Sequence, residues 1–171
     1  VTADASMAEE ASGLCGIGAV SGVFHASGVL ADATLGNQSL SGIRSVFAPK
    51  VDAMDRLMSS LAFHPGAITV LFSSVASLTG SPGQINYSAA NSALDMLATR
   101  STASGLSSVS IQWGAWAGEG MAGNDASTKA RAERTGIGLV EPGIGLDAMA
   151  NLVLGWNQAS VVTCIPFVWD R

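Results

Sequence analysis

The sequence has little charge of either sign. Of its 171 residues, 12% are charged and 48% are hydrophobic, and the mean hydropathy is +0.38. Average soluble proteins have about 25% charged residues. This composition excludes a disordered or coiled-coil chain. The 8 Lys and Arg residues against 13 Asp and Glu give a net charge of −5 and form no basic cluster. Nucleic-acid binding, which needs such a cluster to neutralise phosphates, is therefore excluded.

Long hydrophobic runs, cysteine pairs and metal-ligand clusters are also missing. The longest apolar runs, such as residues 68–72 and 160–168, fall far short of the ~20 residues of a membrane helix. Cys15 and Cys164 are far apart, so we expect buried thiols and no disulfide. We expect no metal site, because His, Cys and carboxylates do not cluster. The first residues do not form a signal peptide. We therefore expect a soluble, non-secreted chain, in the cytoplasm or an organelle such as a plastid.

The length of the chain predicts one domain, 1–171, in which strands alternate with helices. The predicted strands cover residues 14–24, 67–72, 107–113 and 161–169. The predicted helices cover residues 7–13, 40–63 with a kink at Pro49, 87–102, 126–134 and 141–154, and residues 73–86 are predicted as a loop. This order predicts an α/β fold, a doubly wound parallel sheet with helices on both faces, which binds ligands beyond the carboxyl ends of its strands.

Glycines cluster in residues 13–18 (GLCGIG), but in the wrong order for a phosphate-binding turn. Such a turn, G-x-G-x-x-G, follows a strand and opens a helix, whereas this cluster leads into a strand. We therefore do not assign it to phosphate binding.

Four polar residues have spacings that indicate one site. Ser74 is predicted at the end of a strand, thirteen residues before Tyr87, the only tyrosine of the chain. Asn91 lies one helical turn after Tyr87, on the same face. Lys50 is predicted on the preceding helix. Any one of these residues alone is more typical of a surface position, but the four together indicate polar groups that meet in one site.

The chemistry of this set follows from its functional groups. A phenol is a weak acid at neutral pH, and a neighbouring ammonium favours the phenolate, which makes proton donation to a developing alkoxide feasible. A serine hydroxyl beside the phenol can hydrogen-bond the same carbonyl oxygen and polarise it. The set therefore indicates a site that polarises a carbonyl group and donates a proton to its oxygen as that oxygen becomes an alkoxide.

Residues 71–98, LFSSVASLTGSPGQINYSAANSALDMLA, resemble the ketoreductase domain of modular type I polyketide synthases, in the short-chain dehydrogenase/reductase superfamily. The resemblance continues through residues 25–30, 48–52 and 113–116. It implies Tyr87 as proton donor, Ser74 as the group that orients the carbonyl, and Lys50 with Asn91 as the supporting pair. In these ketoreductases, Lys and Asn exchange the places they hold in most of the superfamily, and this sequence has the exchanged arrangement.

The resemblance also implies a cofactor, NADPH, and residues that contact it. The implied contacts are Asp4, Ala26, Ser27 and Gly28. His25, within the same turn, is expected to be structural rather than an acid or base.

The substrate side of the resemblance favours a B-type ketoreductase, which forms D-configured hydroxyl products. Asp32 remains from the Leu-Asp-Asp motif of that type, although Ala31 replaces the middle Asp. Gln84, three residues before Tyr87, is not the Trp that marks the A-type pattern. Trp116 is placed near the substrate mouth. Residues 114–140 resemble a mobile substrate lid.

The resemblance begins at about the third strand of the family, so it implies a Rossmann-like sheet truncated at its N-terminus, without the first βαβ unit. We expect a missing N-terminal βαβ segment, or another protein chain, to cover the exposed sheet edge. The implied function is NADPH-dependent reduction of a β-ketoacyl thioester bound to an acyl carrier protein. The alternative is a non-catalytic, ketoreductase-derived structural subunit of a larger, possibly membrane, complex.

Overall fold

A computed structural model describes residues 18–118, 136–155 and 159–167. Its sheet has four parallel strands in the order β1-β2-β3-β4. The strands are β1 (Val20–His25), β2 (Phe63–Ser74), β3 (Ser107–Trp113) and β4 (Val161–Cys164). All four carboxyl ends therefore lie at one edge of the sheet. The prediction of a parallel, Rossmann-like α/β fold is confirmed.

Helices cross over between the strands. They are α1 (Leu40–Phe47), α2 (Ala53–Ser60), α3 (Ala76–Thr79), α4 (Ile85–Ala103) and α5 (Pro142–Leu154), with a 3-10 turn at Leu35–Asn37 and a π-helical turn at Ala48–Asp52. The Ser39 hydroxyl caps α1 by accepting a hydrogen bond from the Gly42 N–H at 3.1 Å. Pro142 occupies the first turn of α5, where its missing N–H removes no helical bond.

The two faces of the sheet pack against different helices. On the face that we call the α4 face, Leu71 packs with Met54 of α2 and with Leu94 and Ala98 of α4. On the opposite face, the α5 face, the buried residues are Val70, Val109, Ile111, Trp113 and Val140, and they pack against Met149, Leu152 and Val153 of α5. Successive side chains of β2 and β3 therefore alternate between two buried layers.

Three of the predicted boundaries were wrong. The helix predicted over residues 40–63 is divided by the π-helical turn and ends at Ser60, because the chain turns extended and Phe63 pairs with Val20 of β1. The strand predicted over 67–72 therefore spans Phe63–Ser74. The predicted loop 73–86 contains α3, whose four residues are too few to show a periodic pattern.

The outer strands are shorter than predicted. The strand predicted over 14–24 begins at Val20 within the described residues. The strand predicted over 161–169 ends at Cys164, opposite Trp113, where β3 also ends. Asp4, Cys15, the helix predicted at 7–13, the helix predicted at 126–134 and most of the predicted lid lie outside the described residues. Within the described part of the chain, none of the helices is long and apolar enough to cross a membrane.

Candidate active site

Lys50 is a buried cation at the carboxyl edge of the sheet. It lies in the π-helical turn with 3% of its surface exposed. Its Nζ donates a hydrogen bond to the Phe72 carbonyl at 3.0 Å and lies 5.4 Å from the centroid of the Tyr87 ring. Burial lowers the pKa of Lys50 to about 8, and the negative charge of Asp95 opposes this decrease. At neutral pH most Lys50 side chains are therefore still ammonium ions.

Residues at the end of β1 hold the turn that carries Lys50. The buried His25 donates a hydrogen bond from Nε2 to the Lys50 carbonyl at 2.7 Å, and the Ser27 hydroxyl donates to the Pro49 carbonyl at 3.1 Å. Burial lowers the pKa of His25, which favours the neutral ring. A Cβ at Gly28 would come within 3.0 Å of Lys50 Cε, so a larger residue there would displace the lysine chain. The structural role expected for His25 is consistent with these contacts.

Tyr87 lies in the first turn of α4 and is fixed through its backbone. Its N–H donates to Asn86 Oδ1 and its carbonyl accepts from Asn91 Nδ2, both at 2.8 Å. Asn91 is fully buried, and its Oδ1 has no hydrogen-bond partner among the described residues. A buried acceptor without a partner is costly. It is therefore available to a water molecule or to a group that enters the site.

Sequence reasoning missed Asn86. Its side chain is 2% exposed, and its Nδ2 donates to the Ala31 carbonyl at 2.8 Å while its Oδ1 binds the Tyr87 N–H. It thereby joins the loop after β1 to the turn that carries Tyr87. The available signal was an amide side chain next to the only tyrosine, but that signal is weak without a predicted partner.

Ser74 ends β2 at the edge where Lys50 and Tyr87 lie. Its Oγ accepts a hydrogen bond from the Ala76 N–H at 3.2 Å, in the turn that begins α3. The neighbouring Ser73 hydroxyl is buried and donates to the Asn91 carbonyl at 3.3 Å, which attaches the end of β2 to α4. All four residues predicted as catalytic are thus carried by adjoining elements at one sheet edge.

The predicted substrate residues separate into two places. Gln84 Nε2 donates to Asp32 Oδ2 at 3.0 Å, at an exposed position beside the loop that Asn86 holds. Trp116 instead packs on the α5 face, with its ring centroid 4.8 Å from that of Trp113 and its ring against Gly145. Its location at the substrate mouth stays a prediction.

The described residues fit the reactive end of a nicotinamide cofactor. Ala26 and Ser27 are exposed directly after β1, at the sheet edge where this fold binds ligands, and Gly28 lies against Lys50. The orphaned Asn91 Oδ1 adds an unused acceptor at the same edge. The described ranges hold no glycine-rich turn between a strand and a helix that would bind the pyrophosphate. The fit therefore concerns the nicotinamide half.

The site places a phenol ring next to a buried cation, at the carboxyl edge of a parallel sheet. The model of the KR domain matches residues 1–118, more than half of the chain. The chain belongs to the ketoreductase family of polyketide synthases. This places it in the short-chain dehydrogenase/reductase superfamily, as the sequence resemblance implied.

Its sequence relatives include bacterial polyketide synthases. It is 38% identical over 160 residues to "Polyketide synthase GfsB" of Streptomyces halstedii, which covers 94% of this chain and 3% of that protein. It is 42% identical over 125 residues to "Phenolphthiocerol synthesis polyketide synthase type I Pks15/1" of Mycobacterium marinum, and this match covers 72% of this chain and 6% of that protein. These relatives are bacterial and give no support to a plastid location.

Solved ketoreductase structures share the fold. PlmKR1, a ketoreductase from the first module of phoslactomycin biosynthesis in Streptomyces sp. HK803, aligns with a TM-score of 0.84 and 30% identity, over 98% of this chain and 38% of that one. The first ketoreductase of the tylosin polyketide synthase aligns with a TM-score of 0.75 and 36% identity, over 88% of this chain and 33% of that structure. The chain thus spans less than two fifths of either structure.

Proposed function

We propose that this chain forms the catalytic part of a β-ketoacyl reductase, which converts a β-ketoacyl thioester on an acyl carrier protein into the β-hydroxyacyl thioester. The observation that carries the proposal is the buried Lys50 ammonium, 5.4 Å from the centroid of the Tyr87 ring. Burying a cation is costly, and lysines whose pKa is perturbed by burial are common at functional sites. Membership in the ketoreductase family supports carbonyl reduction as the function of this site.

In this proposal, each residue has one task. The Tyr87 hydroxyl donates its proton to the carbonyl oxygen as negative charge develops on it, while the Ser74 hydroxyl hydrogen-bonds the same oxygen. The Lys50 ammonium stabilises the tyrosinate that remains. Asn91, whose Oδ1 is free to accept a hydrogen bond, orders water that returns a proton to Tyr87.

NADPH, when bound, supplies the hydride that reduces the carbonyl carbon. Ala26, Ser27 and Gly28 would hold its nicotinamide ribose, and Asp4 its adenine side. The one G-x-G-x-x-G string of the sequence, at residues 118–123, follows the third strand and lies in the segment that resembles the lid, so we propose that a βαβ segment carrying a second such turn completes the cofactor site. Within the described residues, β1 pairs only with β2, which leaves one edge open for that segment.

We further propose B-type stereochemistry. Asp32 and Gln84 hydrogen-bond each other beside the loop 30–32, and Asn86 fastens that loop to the turn of Tyr87. This pair would define one wall of the substrate entrance, and residues 114–140 would close over the acyl chain.

The test uses the chain alone and a chimera in which it replaces the matching 38% of PlmKR1, which supplies the remaining part of a ketoreductase. NADPH binding is followed by fluorescence titration, and reduction of a model β-ketoacyl thioester by loss of NADPH absorbance. We expect turnover by the chimera and a fall in kcat of about 10² to 10⁴-fold in its Tyr87→Phe variant, because the proton donor is lost. Chiral chromatography should show the D-configured alcohol.

Leu78→Ala serves as the matched control, because Leu78 is exposed on α3 and outside the proposed machinery. A folded chimera that binds NADPH but shows no Tyr87-dependent turnover would reject the proposal and favour a non-catalytic structural subunit. An L-configured product would reject the B-type assignment alone.

A further inference from the structure

A carboxylate on α4 takes no part in the chemistry proposed above. Asp95 lies four residues after Asn91 and is partly buried. Its carboxylate accepts three hydrogen bonds, from Ser110 Oγ at 2.6 Å, Ser77 Oγ at 2.7 Å and Gln112 Nε2 at 2.8 Å. Thr163 Oγ1 in turn donates to Gln112 Oε1 at 2.7 Å. We call Asp95, Ser77, Ser110, Gln112 and Thr163 the Asp95 cluster.

The Asp95 cluster joins four elements and reaches the residue that orients the carbonyl. Its members lie on α3, α4, β3 and β4. The Ser77 hydroxyl is also 2.8 Å from the Ser74 carbonyl and accepts from Gln112 Nε2 at 2.9 Å. The one Ser77 hydroxyl proton is shared between the Ser74 carbonyl and the Asp95 carboxylate. The carboxylate and the Gln112 amide together hold the Ser77 oxygen beside that carbonyl, in the turn after Ser74.

The hydrogen bonds of the carboxylate come from uncharged groups in the described part of the chain. Three donors make the burial of the anion tolerable without neutralising its charge. That charge acts on Lys50, where it raises the pKa against the larger effect of burial. The Tyr87 ring from α4 and the Phe72 carbonyl from β2 lie near the Lys50 ammonium, and His25 from β1 donates to the Lys50 carbonyl. Burial favours the neutral ring of His25. Among the described residues, Asp95 is the anion whose charge opposes the effect of burial on the lysine.

We propose that Asp95 is a positioning residue of the reductase site, whose carboxylate holds Ser77 against the turn after Ser74 and whose negative charge acts on Lys50. The proposal rests on the proposed function for its catalytic consequence, but its electrostatic part concerns this chain alone. It gives a purpose to a carboxylate whose hydrogen-bond donors among the described residues are all uncharged, for which packing alone offers no reason.

The electrostatic part can be measured without any activity. The chain has two lysines, Lys50 and Lys129, so 13C labelling at lysine Cε gives two NMR signals, and Lys50→Met assigns them. We expect Asp95→Asn to move the titration of Lys50 to lower pH by about half a unit to one unit. Asp147→Asn, which removes an exposed carboxylate of α5, should leave it in place. Equal titration in the two variants would overturn the proposal.

Fold retention is checked by circular dichroism, and Asp95→Ser, a shorter neutral residue, replaces Asn for the same titration if the Asn variant is unfolded.

In the active chimera, Asp95→Asn should lower kcat about tenfold with little change in KM and shift the alkaline limb of its pH profile to lower pH. Asp95→Glu should return the alkaline limb of the pH profile to its original position. Ser77→Ala should lower kcat without moving this limb, because the negative charge of Asp95 is retained. A shifted limb in Ser77→Ala would show that the charge of Asp95 and the position of Ser77 do not act separately, which would overturn the proposal. A chimera inactive in its unaltered form would reject the proposed function and leave the NMR result standing.

Discussion

The two faces of the sheet are both buried but are built from different chemistry. Along β3, Val109, Ile111 and Trp113 turn to the α5 face and form an apolar layer, whereas Ser110 and Gln112 turn to the α4 face and are just as buried. On the α4 face, Ser110 and Gln112 both donate to Asp95, and the same face carries Lys50, Tyr87 and Asn91. Alternating residues of this strand therefore line two buried faces, one of which faces the candidate active site and the other an apolar core. Neither of these faces is exposed to water.

The largest effect is expected on the α4 face, at Lys50. Lowering its pKa from 10.5 to about 8 means that burying the ammonium costs about 3 kcal/mol at pH 7. Below pH 8 the cost is fully present. Between pH 8 and 10.5 the unfolded chain binds more protons than the folded one, so the cost disappears as pH rises. Lys50→Met removes the charge at similar volume, although it leaves the Phe72 carbonyl without the Nζ donor, which offsets about 1 kcal/mol.

We therefore expect Lys50→Met to raise the free energy of unfolding by about 2 kcal/mol at pH 7, and we expect this difference to fall by about 3 kcal/mol, to about −1 kcal/mol, by pH 10.5. Urea unfolding at several pH values measures it. Arg44→Met, at an exposed position of α1, should change stability by less than about 0.5 kcal/mol at every pH. A difference between Lys50→Met and the unaltered chain that does not vary with pH would mean that burial of Lys50 carries no electrostatic cost.

On the α5 face the expected effect is one of packing and is independent of pH. A Cβ at Gly145 would lie 2.5 Å from Trp116 Cη2 and 3.0 Å from Val140 Cγ1. Gly145→Ala must push α5 away from the aromatic pair, which we expect to lower the free energy of unfolding by about 2 kcal/mol. Gly143→Ala, on the same helix with open space around it, should raise it by about 0.5 kcal/mol. Urea unfolding of both variants distinguishes them, and equal effects would show that the α5 face is not closely packed.

The smallest effect is expected at the rim of the Asp95 cluster. Thr163 is exposed, and its hydroxyl donates to Gln112 Oε1. Thr163→Val removes this bond at nearly constant volume and should lower the free energy of unfolding by about 0.5 to 1 kcal/mol. Thr79→Val, whose hydroxyl bonds only to its own turn, is the control and should have a smaller effect. If the two variants are equally stable, Thr163 lies outside the cooperative part of the cluster.

Much of the architecture could be predicted because it depends on local patterns. The strand at Ser107–Trp113 was predicted with its observed bounds, and the helix predicted over 141–154 begins one residue later, at Pro142. The set of Lys50, Ser74, Tyr87 and Asn91 was found because helical spacing and one shared sheet edge bring such residues together. Asn86 and Asp95 were not found. Each looks like an ordinary helix polar residue until its partner, from a strand or loop far away in sequence, is known.

Helices on both faces of the sheet were predicted, but the polar lining of one buried face of β3 was not, for a related reason. The sequence SSVSIQW alternates in the manner of a strand with one face in water. The position of the Asp95 carboxylate, set by α4, makes Ser110 and Gln112 suitable for the interior. The sequence signal that was available is the presence of Ser and Gln, rather than charged residues, at the alternate positions.

The π-helical turn at Ala48–Asp52 has a consequence for how the sequence tolerates change. Its defining bond, from the Ala53 N–H to the Ala48 carbonyl, spans one residue more than an α-helical bond. The extra residue rotates everything that follows by about 100° relative to an uninterrupted helix. Removing one residue from the turn would keep the chain helical, but it would change the angle between the Lys50 side chain and α2 by about 100°. The length of this segment is therefore specified as strictly as the identity of the lysine.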